Sequence, residues 1–175
     1  MVSYQVNGIE LGISGHPEVY PPGDDSFLML GAVEKARGRV LDIGTGSGYA
    51  AAIYAHLAAR VVSIERIHDL AESARRVLAE LGYGSVLVVE GDGAKGYPPE
   101  ASYHGISVAA AALDVPRPLL EQLADGGRLV MPLGDAYYQE LVRVARRGRR
   151  FDRERLGHVA FVPLIAGPDA EHGDG

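Results

Sequence analysis

The feature that most limits what this chain can fold into is the run Val40-Leu41-Asp42-Ile43-Gly44-Thr45-Gly46-Ser47-Gly48. A short aliphatic stretch with the composition of a buried strand runs straight into glycines at alternate positions, and a helical pattern follows. Glycines let the main chain turn sharply and approach a ligand without Cβ collisions, and free amides at the helix start can face a polar or anionic group. Taken alone, the same run also describes a plain tight turn between a strand and a helix.

The rest of the chain gives that turn a setting. From Arg39 onward, short β-branched runs alternate with helical stretches, as expected of strands buried under helices on both faces of a parallel sheet. The pattern predicts strands at 39–44, 60–65, 85–90, 105–110 and 128–133. It predicts helices at about 48–58, 68–81 and 116–124, with an irregular connection at 94–98. The chain then changes character. Residues 139–144 and 158–164 read as two strands separated by Arg-rich, Gly-containing sequence, which predicts a terminal antiparallel pair. Near the start, alternation over 4–11 around Asn7-Gly8 predicts a short β-hairpin. Pro17, Pro21, Pro22 and Gly23 then break regular structure, and Asp24-Asp25-Ser26 supplies N-cap chemistry for a helix leading toward residue 36. With no internal repeat, the expectation is a single α/β domain over 1–167 and a polar tail at 168–175.

Composition narrows the function classes. With 175 residues, 47% of them hydrophobic and 23% charged, the chain suits one compact globular domain and not a disordered one. The absence of cysteine excludes disulfides, thiolate nucleophiles and Cys-ligated zinc. The net charge of -6 argues against a generic nucleic-acid-coating surface. Apolar runs such as 108–113 are far shorter than a membrane span, and no basic leader pattern opens the sequence, so the expected setting is cytoplasmic. Isolated histidines such as His16 and His104 lack metal-ligand spacing, and no metal is expected.

Acids at strand ends carry the chemical argument. The second strand of the series closes on Glu65, where a carboxylate can accept both hydroxyl hydrogens of a ribose. The third closes on Glu90-Gly91-Asp92-Gly93. Asp92 there suits an exocyclic amine, or else an Asx turn on its own backbone. A dinucleotide fold needs Gly-x-Gly-x-x-Gly, whereas Gly44, Gly46 and Gly48 alternate. Asp42 inside the first strand would also sit unfavourably beside phosphates. S-adenosylmethionine, with an ammonium, a sulfonium and no phosphate, matches this acidic, glycine-rich crevice better than NAD.

At these residues the chain resembles the Rossmann-like S-adenosylmethionine-dependent methyltransferases. Over about 39–167 it is similar to the protein-L-isoaspartate (D-aspartate) O-methyltransferases. The resemblance rests on the glycine run through Tyr49, Ser63-Ile64-Glu65-Arg66-Ile67, Gly91-Asp92-Gly93, Leu119-Leu120-Glu121-Gln122-Leu123 with Gly126-Gly127-Arg128-Leu129-Val130, and Phe161-Val162-Pro163-Leu164. It implies that the glycine loop, with Gly44, Thr45, Gly46 and Gly48, holds the methionine part, and Asp42, suited to a cationic ligand, joins the cofactor set. Glu65 would hold the ribose and Asp92 the adenine, with Arg66 and Gly93 completing the cofactor set. The sequence departs from that family at His104, where the family has Asp, and at Ala109, where it has Thr. Ile13-Ser14-Gly15-His16-Pro17 only faintly echoes its Thr-Ile-Ser motif. The stretch 19–28 is similar to protein-glutamine methyltransferases instead, which adds Ser26 as a cofactor ligand. Their Asn-Pro-Pro-Tyr is replaced here by Ala109-Ala110-Ala111-Ala112.

These readings imply methyl transfer to a peptide or protein carboxylate, a nucleophile already ionised at neutral pH that needs no general base. Two alternatives stand beside it. One keeps the cofactor but gives RNA, glutamine or a small molecule as acceptor, with Arg143, Arg146, Arg147, Arg149, Arg150, Arg153 and Arg155 contacting phosphate; those arginines also read as a solvated hairpin tip. The other is a non-catalytic S-adenosylmethionine-binding module. No membrane partner is expected, and the sequence leaves the oligomeric state open.

Overall fold

The computed structural model describes residues 37–167, the strand segments at 4–6 and 9–11, and Met29. Strands β1 (Tyr4–Val6) and β2 (Ile9–Leu11) pair antiparallel with Val6 opposite Ile9, the hairpin expected over 4–11. Met29 is helical and buried. The rest of the helix expected toward residue 36, Ser26, His16 and the tail at 168–175 lie outside the described residues.

The body is a seven-stranded sheet in the order β5-β4-β3-β6-β7-β8-β9. In chain order it comprises β3 (Arg39–Ile43), α1 (Tyr49–Leu57), β4 (Arg60–Glu65), α2 (His68–Glu80), β5 (Leu87–Glu90), β6 (Tyr103–Val108), α3 (Arg117–Glu121), β7 (Leu123–Gly134), β8 (Gln139–Arg147) and β9 (Arg150–Val159). The first five of these strands in space run parallel, β8 runs antiparallel to β7, and β9 antiparallel to β8. The chain builds outward from β3 through β4 to β5, then returns to β3's other side with β6. The strand order therefore reverses between β3 and β6, and a crevice opens at the carboxyl ends of these strands.

Side chains alternate across the sheet, and both faces are buried. Val40, Val61, Val88 and Val130 pack with Tyr54 of α1 and Leu78 of α2. Leu41, Ile43, Val62, Ile64, Ile106 and Leu129 pack with Leu119 of α3 on the other face. Burial on both faces explains why these strands read as continuous apolar runs.

Two elements differ from the sequence pattern. The last strand occupies Arg150–Val159, not 158–164. Its first six residues are exposed and charged or aromatic, so they carry no apolar alternation; their backbone pairing with β8 holds them as an edge strand. Residues beyond Val159 leave the ladder and turn back over the strand ends. The helix expected at 116–124 is short, Arg117–Glu121, because Leu123 already pairs with Tyr103 as the start of a 12-residue β7. Among the described residues, no helix is long and apolar enough to cross a membrane.

Candidate functional site

A cavity of about 520 Å³ opens where β3, β4, β5 and β6 end. Its floor and sides come from Gly44 and Gly46, from Glu65 and the start of α2, from Gly91 and Gly93, and from Ala109 and Ala110; residues 162–165 form the outer wall. The glycine loop brings its backbone to this cavity with positive φ at Gly44, Gly46 and Gly48 (89°, 52° and 86°), conformations that side-chain-bearing residues rarely adopt.

Those loop amides are not free. Gly44 and Thr45 both donate to the Ile64 carbonyl (2.9 and 3.2 Å), and Gly48 donates to the Thr45 carbonyl (2.9 Å). Gly46 donates to Oε2 of Glu65 at 3.0 Å. The anion cradle that the sequence pattern allowed is thus taken up by the protein itself. Glu65 in turn accepts from the Ile67 amide through Oε1 at 3.0 Å. A carboxylate has about four lone-pair positions, so Glu65 is held at both oxygens and still has acceptor capacity facing the cavity.

Asp42 occupies a different place from the one its sequence position suggests. It lies on the helix-covered face of β3, is 1% exposed, and does not line the cavity. In register it stands between Ser63 on β4 and Ser107 on β6. Ser63 Oγ donates to its Oδ2 at 2.7 Å, and Thr45 Oγ1 lies 2.6 Å from Ser63 Oγ. Tyr54 Oη donates to Ser107 at 2.8 Å, closing a polar layer beneath α1. Among the described residues, Oδ1 of Asp42 has no hydrogen-bond partner. Burial pushes the Asp42 carboxyl up to about 7; the Ser63 bond works against that rise and the charge of Glu65 adds to it. Thr45 and Gly48 also sit behind the cavity. Thr45 serves the polar layer, and Gly48 packs the start of α1 against Leu78.

At the far side Arg66 lines the cavity, while Asp92, between Gly91 and Gly93, is not among the lining residues. Asp92 Oδ1 accepts from the Ala94 amide (2.9 Å), the Asx-type contact, while Oδ2 accepts from the Gly167 amide (2.8 Å). Arg66 donates to the carbonyls of Ile165 and Gly167 at 3.2 and 3.0 Å. Both side chains therefore grip the segment that forms the outer wall. Gly93 lines the cavity and must be glycine, since a Cβ there would fall 2.2 Å from Cγ2 of Ile43.

The wall was the part hidden in the sequence. The strand expected over 158–164 is not formed beyond Val159; residues 161–165 form a strap instead. Ala111 donates to Val162 (2.8 Å) and accepts from Leu164 (2.7 Å), so the strap rests on the Ala109–Ala112 stretch through backbone bonds. On its other side lies a second cavity of about 580 Å³, lined by 111–113, the β7–β8 turn and Phe161, and sharing Pro163 and Leu164 with the first. The two departures from the expected pattern separate in space. Ala109 lines the cofactor-sized cavity, while His104 sits at the amino end of β6, accepting from the Arg39 amide at 3.1 Å. The arginine stretch is largely paired. Arg143 bonds Glu154, Arg147 Asp152, Arg153 Asp114 and Arg155 Glu140.

Comparison with known proteins agrees with this geometry. Residues 27–169 match the family model described as Protein-L-isoaspartate(D-aspartate) O-methyltransferase. A protein-L-isoaspartate O-methyltransferase of Methanoculleus marisnigri is 53% identical over 131 residues, 75% of this chain and 60% of that protein. A solved protein-L-isoaspartate O-methyltransferase superposes with a TM-score of 0.74 at 28% identity, covering 85% of this chain and 51% of the other. An S-adenosylmethionine-dependent methyltransferase from Thiobacillus denitrificans, in complex with S-adenosyl-L-homocysteine, gives a TM-score of 0.52 at 26% identity, covering 66% of this chain and 51% of the other. The chain spans about 60% of the length of the curated relatives it matches. By motif order, fold and family match together, it belongs to the protein-L-isoaspartate(D-aspartate) O-methyltransferase family.

Proposed function

We propose that the chain transfers the methyl group of S-adenosylmethionine to a free carboxylate of an isoaspartyl residue in a peptide or protein. The observation that carries this reading is the cavity at the strand ends, with Glu65 at its wall and the glycine-loop amides already bonded to protein acceptors. A phosphate would find few loop amides to bind and a carboxylate beside it. A ligand with hydroxyls and a cationic centre finds an acceptor, and Ile64, Ile67, Leu70, Leu164 and Ile165 offer apolar surface to a flat base. The volume is within the range of small-ligand sites.

When bound, S-adenosylmethionine supplies a methyl carbon activated by sulfonium. In this reading Glu65 accepts the ribose hydroxyls, Gly44 and Gly46 leave room for the methionine part, and Asp92 accepts from the adenine amine. Thr45, Gly48 and Asp42 support the loop from behind, Arg66 and Gly93 complete the walls, and Ser26 stays a candidate at the amino-acid end. The neighbouring cavity, which shares Pro163 and Leu164 with the first, would hold the acceptor. With S-adenosylmethionine bound, the acceptor carboxylate would supply the electron pair of the new C–O bond and the C–S pair would stay on sulfur. No proton moves, so the alanines at 109–112 need no acid-base partner, and alignment with exclusion of water supplies the rate. A single domain over 1–167 and a cytoplasmic setting belong to the same proposal.

The test is tritium transfer from labelled S-adenosylmethionine to an isoaspartyl peptide, a release-factor peptide and RNA, beside calorimetric titration with S-adenosylhomocysteine. Base-labile label in the first acceptor is expected. Tight S-adenosylhomocysteine binding with no label in any acceptor would leave only the non-catalytic binding module, and label in RNA alone would move the acceptor class. The ion pairing of the arginine stretch favours the peptide over RNA.

A further inference from the structure

We propose that Gln139 is a positioning residue for this site, its side-chain amide fixing the backbone of Phe161 and thereby setting the wall that residues 162–165 place between the two cavities. Gln139 opens β8 and is 8% exposed. Its Oε1 accepts from the Phe161 amide at 2.8 Å, and its Nε2 donates to the Phe161 carbonyl at 3.0 Å and to the Asp135 carbonyl at 3.1 Å. The β8–β9 ladder ends with Gln139 opposite Val159. Two residues later the chain has left the ladder, and the primary amide of Gln139 presents one donor and one acceptor to Phe161 as a neighbouring peptide group would. It is one more rung, made by a side chain.

That rung stands where the strap begins. The middle of the strap is held by Ala111 and its end by Arg66 and Asp92, so Gln139 supplies the third fixed point. Gln139 is itself held by the turn before it, where the Asp135 carboxylate accepts from the amides of Tyr137 and Tyr138 at 2.8 and 2.9 Å. Because Pro163 and Leu164 line both cavities, a shift at Phe161 alters the cofactor side and the acceptor side together. What the wall serves rests on the function proposed above; that Gln139 sets its position does not.

The experiment compares the full chain with Q139A and Q139E by amide hydrogen exchange and by calorimetric titration with S-adenosylhomocysteine from pH 5 to pH 8. Alanine removes the rung. Glutamate keeps the acceptor for the Phe161 amide but turns a carboxylate toward two carbonyls, and protonation returns one donor. In Q139A, exchange at Phe161 and Leu164 should rise about tenfold, the worth of roughly one net hydrogen bond, with β3 and β4 unchanged. S-adenosylhomocysteine affinity should fall by a similar factor. Q139E should lose more than Q139A at pH 8 and recover toward the parent, measured at the same pH, by pH 5. Unchanged exchange at Phe161 and Leu164 in Q139A, or a constant offset between Q139E and the parent at every pH, overturns the proposal. The exchange measurement needs no ligand, so a parent chain that fails to bind S-adenosylhomocysteine would count against the methyl-transfer reading alone.

Discussion

Asp42 is a carboxyl group enclosed by a sheet and a helix, with one oxygen lacking a hydrogen-bond partner among the described residues, and this makes the stability of the fold depend on pH in an unusual direction. Its ordinary value of 3.8 is raised to about 7 by burial. The folded chain therefore holds this proton over a range in which the unfolded chain has released it, so the group's contribution to stability is fully present below pH 3.8 and is lost as pH rises through 7. A difference of about three pKa units, at roughly 1.4 kcal/mol each, gives about 4 kcal/mol for the whole transition. About 3 kcal/mol of that falls between pH 5 and pH 8, which denaturant titration resolves. Asp42→Asn keeps the acceptor for Ser63 and removes the titration. The parent should lose about 3 kcal/mol relative to D42N on going from pH 5 to pH 8, whatever the offset between them at either pH. Parallel stability curves for the two proteins, or a parent that gains on D42N as pH rises, would falsify the buried-carboxyl account.

Three further outcomes follow from the site. Gly93→Ala would bring a methyl group to 2.2 Å from Ile43 Cγ2 on the cavity wall; calorimetry should show S-adenosylhomocysteine binding weakened about tenfold or more, an overpacking cost of about 1–3 kcal/mol. Glu65→Gln leaves one of the Gly46 and Ile67 amides facing an NH2 group. Denaturant titration should register a loss of about 1–3 kcal/mol, with weaker S-adenosylhomocysteine binding beside it, and an unchanged affinity would remove Glu65 from the ribose role. His104→Asp, at the amino end of β6, should leave isoaspartyl-peptide methylation within about twofold, because surface substitutions away from a site cost little; a large loss would mean that end of the strand communicates with the acceptor.

What the sequence disclosed follows from which physical signals are local. The parallel strands were legible because burial on both faces leaves Val40-Leu41 and Val61-Val62 as compact apolar runs, and the turn at 44–48 was legible because its backbone requires glycine. Glu65 emerged from its position at a strand end. The position of β9 was obscured because an edge strand with charge on both faces has no period to read. Asp42 was read as facing a ligand, whereas strand alternation turns it under α1. The sequence singles out Asp92 and Arg66 at strand ends, but their grip on 165–167 depends on partners 75 to 101 positions away. Gln139 gave no signal at all, because a side-chain amide that stands in for a backbone partner belongs to no recurring spacing.

The strap has a consequence for the order in which the molecule is made. Arg66 reaches across 99 and 101 positions to the carbonyls that finish the roof of the cavity, and such distant closures are slow to form because chain entropy opposes them. The glycine turn, Glu65 and the first parallel pairs can assemble while later sequence is still emerging from the ribosome, yet the chamber stays roofless until β9 has been laid down. A nucleoside that favours the roofed state would pull that final closure forward by mass action, acting as the last step in the maturation of the fold.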